Sequence, residues 1–419
     1  MRVLFAVFLA ASTPFLDLAH AEDLKTPIEL ESTQVLPRGV RNPRLKNLIM
    51  FIDSRYGANG AVEPLGNQLN QSVTWQTMIA SQKTTDDQEM LKGLLLASHI
   101  GDWDKNGPGS TTGVVNTYVN AKVPVLAFGV TDHLTLALAV PVIKVEVGAD
   151  TGYVSRNTKD TQSFFDSLCA SNPVKCNQIK AQLQDATNQK LTAYGYESIH
   201  SQTVSGIGDV KLVSKYLFRH NEKNDWTLKG ELTFPTGIRP NPDKALDVPT
   251  GDGRYAFSKS LIWDHKILPA LTWNTYGGYT AFFSNHVVKR IPTVLDALSP
   301  DKEELKRKMG HLISGGTSLS YRFLPLGLSL GLGYGVQYLS QTQYEDGAFQ
   351  SDRYRLLEEA SPAQLLHTST LMAGFSTVEM YQAGGSLLPF QANLAWSHPL
   401  SGKNVPKNDL VMGELVLFF

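Results

Sequence analysis

Val204–Gly237 reads VSGIGDVKLVSKYLF, then the polar break RHNEKND, then WTLKGELTFPTG. In the second half Trp226, Leu228, Gly230, Leu232 and Phe234 alternate with Thr227, Lys229, Glu231 and Thr233. In the first half Val210, Leu212, Tyr216 and Phe218 alternate with Asp209, Lys211, Val213 and Lys215, and only Ser214 falls off the pattern. Successive side chains on a strand point to opposite faces, so each run has one apolar face and one charged face. Two such runs joined by a tight polar turn predict an antiparallel hairpin. A charged face backing an aromatic and aliphatic one suits a barrel wall with lipid outside and water inside. The hairpin alone fits a soluble sandwich with a solvated charged face equally well, so the rest of the chain has to decide.

Working outward, further alternating segments come in pairs. Thr117–Phe128 and Leu134–Val145 flank Gly129-Val-Thr-Asp132, and Tyr255–Asp264 and Leu271–Phe283 flank His265-Lys-Ile-Leu-Pro269. Ile313–Phe323 and Leu326–Tyr338 meet across Leu324-Pro325, while Thr368–Val378 and Leu388–His398 flank Gln382-Ala-Gly-Gly-Ser386. Arg44–Asp53 is the expected opening strand and Leu410–Phe419 the closing one, giving about twelve strands, an even number as bacterial barrels have. Connections alternate between short and long, the long ones at 57–112, 148–203, 238–253, 285–308, 343–363 and 400–408. Short periplasmic turns and long extracellular loops produce that parity, and a soluble sandwich has no reason to obey it. The expectation is an all-β, transmembrane, antiparallel up-and-down barrel over residues 22–419, with helical segments in its long extracellular loops.

The N-terminus supports export. Met1-Arg2 and the apolar run Val3–Ala11 precede Ala19-His20-Ala21, a signal peptide with a cleavage site that leaves Glu22 first. No later window approaches the roughly 20 apolar residues a membrane helix requires. Mean hydropathy is slightly negative, because alternation averages away on a hydropathy scale. With 38 basic and 39 acidic residues the charge balance gives no reason to expect nucleic acid or a polybasic membrane patch. The two cysteines, Cys169 and Cys176, are placed to form a structural disulfide in an exported chain, and without nearby His they make no metal site.

Two resemblances follow. The last strand, with Val411, Gly413, Leu415, Leu417 and Phe419 on one face, resembles the C-terminal signal of bacterial outer-membrane barrels. That resemblance implies a bacterial outer-membrane location, contact with outer-membrane lipid, and recognition of Phe419 by the barrel assembly machinery. Val130-Thr-Asp-His-Leu-Thr-Leu136, Gly206-Ile-Gly-Asp-Val-Lys-Leu212 and Glu231-Leu-Thr-Phe-Pro-Thr-Gly237 resemble phrases of the phenol-degradation meta-pathway transporter-like family, which is related in style to the fatty-acid channel. This second resemblance implies passive or facilitated uptake of small hydrophobic or aromatic molecules. A surface interaction or adhesion protein that uses the barrel as an anchor is the alternative.

Candidate solute contacts on the lumen face are Asp209, Lys211, Lys215, Lys229 and Glu231, readable either as a charged constriction or as a cross-strand salt ladder. Leu326–Tyr338 places Gly327, Ser329, Gly331, Gly333 and Gly335 on its inner face, which marks close approach by a plug or solute, or strong curvature. The inserts carry helical patterns at Trp75, Met78, Ile79, Met90, Leu91, Leu94 and Leu95, and again at Phe164, Phe165, Leu168, Ile179, Leu183 and Ala186. Those faces can pack together over the mouth, collect solutes or fold inward. No enzyme is expected: His367-Thr-Ser369 lacks the nearby Asn that an outer-membrane phospholipase would require, and Ser284-Asn285-His286 has the wrong spacing. No cofactor or metal is implied by any motif, and Gly251-Asp-Gly253 reads as a turn.

Overall fold

The computed structural model describes Leu24 and residues 30–82, 84–293, 298–323, 326–349, 351–385 and 388–419. The predicted signal peptide lies outside these residues. Twelve antiparallel strands form a closed barrel: β1 (Arg41–Tyr56), β2 (Gly109–Thr131), β3 (Leu134–Ala139 and Val142–Ser155), β4 (Gln202–Ile207 and Val210–His220), β5 (Asn224–Phe234), β6 (Ala256–Leu268), β7 (Leu271–Phe282), β8 (Leu312–Phe323), β9 (Leu328–Leu339), β10 (Gln364–Ser376), β11 (Phe390–Lys403) and β12 (Val405–Leu417). Each pairs with its sequence neighbours, and β1 pairs with both β2 and β12 to close the ring. The terminal residue completes the seam, because Arg41 N–H donates to Phe419 O and Phe419 N–H to Arg41 O. Closure removes the sheet edge, which lipid could not satisfy.

The period-two pattern sets the two faces. Leu228, Leu261, Trp273, Leu319, Leu330, Leu332, Leu371, Leu394, Val411 and Leu415 are exposed on the outside, a large apolar surface that only lipid would cover. Trp226, Trp263 and Trp273 stack side by side on three consecutive strands, with ring centroids 5.6 and 5.3 Å apart, as in the aromatic girdle of such barrels. None of the described helices is long and apolar enough to cross a membrane.

Breaks interrupt β3 at 140–141 and β4 at 208–209, where the register slips by a residue between Ala139↔Lys211 and Val142↔Ile207. Pro141 has no N–H to give, yet the wall stays bonded there. Gly208 N–H donates to Pro141 O (2.8 Å) and Val140 N–H to Pro124 O (3.1 Å).

The inserts build a cap. Helices α1 (Trp75–Ala80), α2 (Thr85–Ala97), α3 (Lys159–Ser171) and α4 (Pro173–Gln184) share one apolar core through Trp75, Met78, Ile79, Leu91, Leu95, Phe164, Leu168, Ile179 and Leu183. The helical faces legible in the sequence therefore bury one another. Thr74, Thr84, Thr158 and Asn172 cap their N-termini through the side chain, and Cys169 is bonded to Cys176 between α3 and α4. Below this bundle, Leu65, Leu69, Leu191, Ile199, Leu246 and Val248 pack with Ile52, Val115, Val145 and Val147 of the wall, filling the outer part of the lumen with loop residues.

Two connections differ from expectation. Segment 285–308 is not an open loop: Asn285–Arg290, Lys302–Lys308 and Gln343–Glu345 form a separate three-stranded sheet over which α5 (Ser351–Glu359) lays Leu357. The last outer connection is not long either. β11 and β12 are separated only by Asn404, which takes the left-handed conformation (φ 55°). Their upper halves leave each other and pair outward, β11 with β10 and β12 with β1. That outward pairing keeps a Pro- and Gly-bearing stretch extended.

Candidate functional site

The lumen is where polar side chains converge, and its main occupant is the chain's own N-terminus. Leu24 packs among Tyr56, Leu339, Leu366 and Val405 at the extracellular end, with its N–H on Gln364 Oε1 (2.8 Å). Leu30 lies halfway down against β9, and Leu36 N–H donates to Thr135 Oγ1 (2.7 Å) near the periplasmic end. Leu24 and residues 30–36 thus lie along the lumen from its extracellular to its periplasmic end, an arm that Gly39 turns into β1.

The inner glycines of β9 make room for it. A Cβ on Gly331 or Gly333 would collide with the methyl groups of Leu30. The glycine row thus marks close approach by a plug, one of the three readings its sequence left open.

Opposite that groove stand the charges. Strand register places Lys215 directly across from Lys229, an arrangement that like charges make unfavourable. The arm supplies the missing anion. Lys229 Nζ contacts Glu31 Oε1 at 2.5 Å, and Lys215 Nζ donates to Ser32 O at 2.8 Å. One residue on, Asp264 Oδ2 accepts from both Thr33 N–H (3.0 Å) and Thr33 Oγ1 (2.6 Å), and Thr227 Oγ1 donates to Thr33 O (2.8 Å).

The remaining candidates are placed as follows. Lys211 pairs with Glu231 at 2.7 Å across β4 and β5, so a ladder rung exists, but only one is internal to the hairpin. Asp209 stands apart from this group at the break in β4. Its carboxylate accepts from Gly237 N–H (2.9 Å) and Asp252 N–H (3.1 Å), tying down the loop between β5 and β6. Sequence reasoning missed Glu31, Thr33 and Asp264, and also Arg44 and Lys46 of β1, which lie 3.8 Å from Glu414 of β12. Asp264 had a signal, since it sits on the inner face of β6 in phase with Ser258 and Ser260.

Across the lumen, Leu48, Ala121, Ala395, Leu410 and Met412, joined by Met50, Val123 and Met372, form an apolar wall. The interior is therefore two-faced, with this apolar patch on β1, β2, β11 and β12 beside the Arg44, Lys46 and Glu414 charges, and the lysine pair on β4 and β5. His367 bonds Tyr334 OH through Nδ1 (2.6 Å) on the outer face. Among the described residues no three His, Cys, Asp or Glu side chains group as metal ligands.

A closed, lipid-banded barrel of twelve strands with a polar interior defines a transmembrane β-barrel of the bacterial outer membrane. Residues 68–357 match the family model described as "Putative MetA-pathway of phenol degradation". That is more than half of the chain, and the protein belongs to this family. Among solved structures it is similar to an outer-membrane channel of Pseudomonas putida F1, with 13% identity, 94% of this chain and 100% of that chain covered, and a TM-score of 0.53, which shows a shared fold. Weaker likenesses include the toluene transporter TodX of Pseudomonas putida (10% identity, 91% and 90% covered, TM-score 0.33) and a FadL homologue of Pseudomonas aeruginosa (10%, 91% and 90%, 0.32). A search of curated proteins returned no match.

Proposed function

We propose that the protein is an outer-membrane channel for uptake of small hydrophobic or aromatic molecules, held shut by its N-terminal arm. The observation that carries this reading is how the lumen is filled. The wall is closed by continuous backbone ladders, whereas the described residues of the arm are bonded to it through side chains. Local opening is drawn from the least-bonded segments of a structure, so the arm leaves before any strand does. Its departure frees a passage with an apolar wall for the body of a solute and a charged wall for a polar group. Family membership and the described fold of the Pseudomonas putida F1 channel agree with transport. Lys211, Lys215, Lys229 and Glu231 are the solute-facing residues in this proposal, and Phe419 is the recognition point for barrel assembly.

Single-channel conductance in planar bilayers tests it, using the full chain and a variant lacking residues 24–36. The full chain should show brief, infrequent openings and the variant long ones. If both are equally silent, the loop-filled outer lumen is the true closure and the arm is not the gate.

A further inference from the structure

The arm occupies its site in a chemically specific way. Leu30 fills a groove that two glycines leave in β9, and the next residue sets a carboxylate on Lys229 beside Lys215. We infer that Leu30-Glu31 is a built-in stand-in for the solute. The vacated site would take a small monocarboxylate with an apolar body, which competes with Glu31 for Lys215 and Lys229. This deepens the channel reading by naming the solute class.

Three observations carry it. First, Lys215 and Lys229 face each other across the β4–β5 ladder, so the wall alone is a site for an anion rather than for a neutral aromatic. Second, charge is unbalanced without the arm. Arg44, Lys46, Lys211, Lys215 and Lys229 are five cations against Glu231, Asp264 and Glu414, three anions, leaving +2, and Glu31 brings the excess to +1. Third, the apolar slot is preformed. Gly331 and Gly333 leave a space that the methyl groups of Leu30 enter most closely, with Met372 and Ser318 at its sides. Lys211 already has Glu231, so among these three lysines Lys215 and Lys229 are the pair whose carboxylate comes from the arm. Charge-assisted hydrogen bonds to a carboxylate are the strong kind, which makes an exchange of one carboxylate for another nearly balanced and reversible. The solute that binds would itself keep the arm out.

Sodium benzoate and benzyl alcohol, similar in size and differing in charge, are the probes. Isothermal titration of the full chain in detergent at low salt should show benzoate binding about tenfold tighter to Glu31→Gln than to the unaltered protein, because the internal competitor is gone. Lys215→Met with Lys229→Met should abolish that binding, and benzyl alcohol should bind no variant better than another. Heat-modifiable migration on gels confirms that each variant barrel is folded. Benzyl alcohol binding as tightly as benzoate, or benzoate indifferent to Glu31→Gln, overturns the inference. Conductance separates the two readings: benzoate binding in this pattern to a barrel that never conducts upholds the site and sinks the channel, while a conducting barrel that ignores Glu31→Gln in the titration sinks the site alone.

Discussion

Removing Asp264 should release the arm without touching the ladders of the wall. Its Oδ2 accepts two hydrogen bonds from Thr33, at 3.0 and 2.6 Å, and Oδ1 accepts one from Asn274. Asp264→Ala deletes the two arm contacts. Hydrogen bonds to a charged group contribute roughly 1.5–3 kcal/mol each. Water enters when the arm leaves and re-solvates both Thr33 groups, so about 1 kcal/mol apiece is the fair figure, or about 2 kcal/mol together. By the rule that 1.4 kcal/mol is a factor of ten, the released population rises roughly thirtyfold. The reporter is Leu36, whose N–H is bonded to Thr135 on the adjoining wall and touches neither Asp264 nor Thr33. Amide hydrogen exchange at Leu36 should quicken by about that factor, with amides in β9 and β10 unchanged. If Leu36 keeps its protection, the arm is not one cooperative unit and Asp264 is a local contact only.

Three other changes test separate parts of the structure. Gly333→Val places a branched side chain where the methyl groups of Leu30 sit; overpacking of this kind costs about 1–3 kcal/mol, and conductance should show openings lengthened roughly tenfold or more. Cys169→Ser opens a small loop between α3 and α4 whose closure contributes about 2.5 kcal/mol in the chain-entropy model, so trypsin should cut at Lys175 or Lys180 sooner while the barrel resists. Acid should loosen the outer loops at Asp243, which takes hydrogen bonds from Arg290 and Lys302. Burial pushes its carboxyl up, but the Lys302 and Arg290 hydrogen bonds pull it down further, below the ordinary Asp value. A depressed folded value means the stabilisation is complete above the unfolded pKa near 4 and is lost as pH falls through the lowered one. Proteolysis of the 235–252 loop should therefore accelerate only below about pH 4.

What the sequence showed and hid has a common physical cause. Strands such as Trp226–Phe234 were legible because lipid and water impose opposite chemistry on alternate residues. Helices at Trp75, Leu91, Phe164 and Ile179 were legible because their apolar faces repeat at helical spacing, although nothing in the spacing said that they would bury one another. Asn285–Arg290 and Lys302–Lys308 carry charge on both faces, so no alternation marked them; their ladder partners make them strands. Residues 400–408 read as a loop and are extended because each half is bonded to an outer neighbour. The lumen site was half visible. Lys215 and Lys229 were found but left between a charged constriction and a salt ladder, since only the register shows that they oppose one another. Leu30–Leu36 has no pattern of its own, and its place is set by groups more than a hundred residues away. The glycines of β9 were the complementary half of that signal.

Leu24 stands at the extracellular end of the lumen, buried among Tyr56, Leu339, Leu366 and Val405. A bulky group attached close to Leu24 would compete with those side chains and keep the arm from seating. Purification handles at that end would report on a different resting state from the native one. Phe419 forbids the other end as well, because its backbone is the last stitch of the seam. A label intended to leave this barrel at rest belongs in the outer loops, where the chain is tied down by Arg290 and Asp243 rather than by its ends.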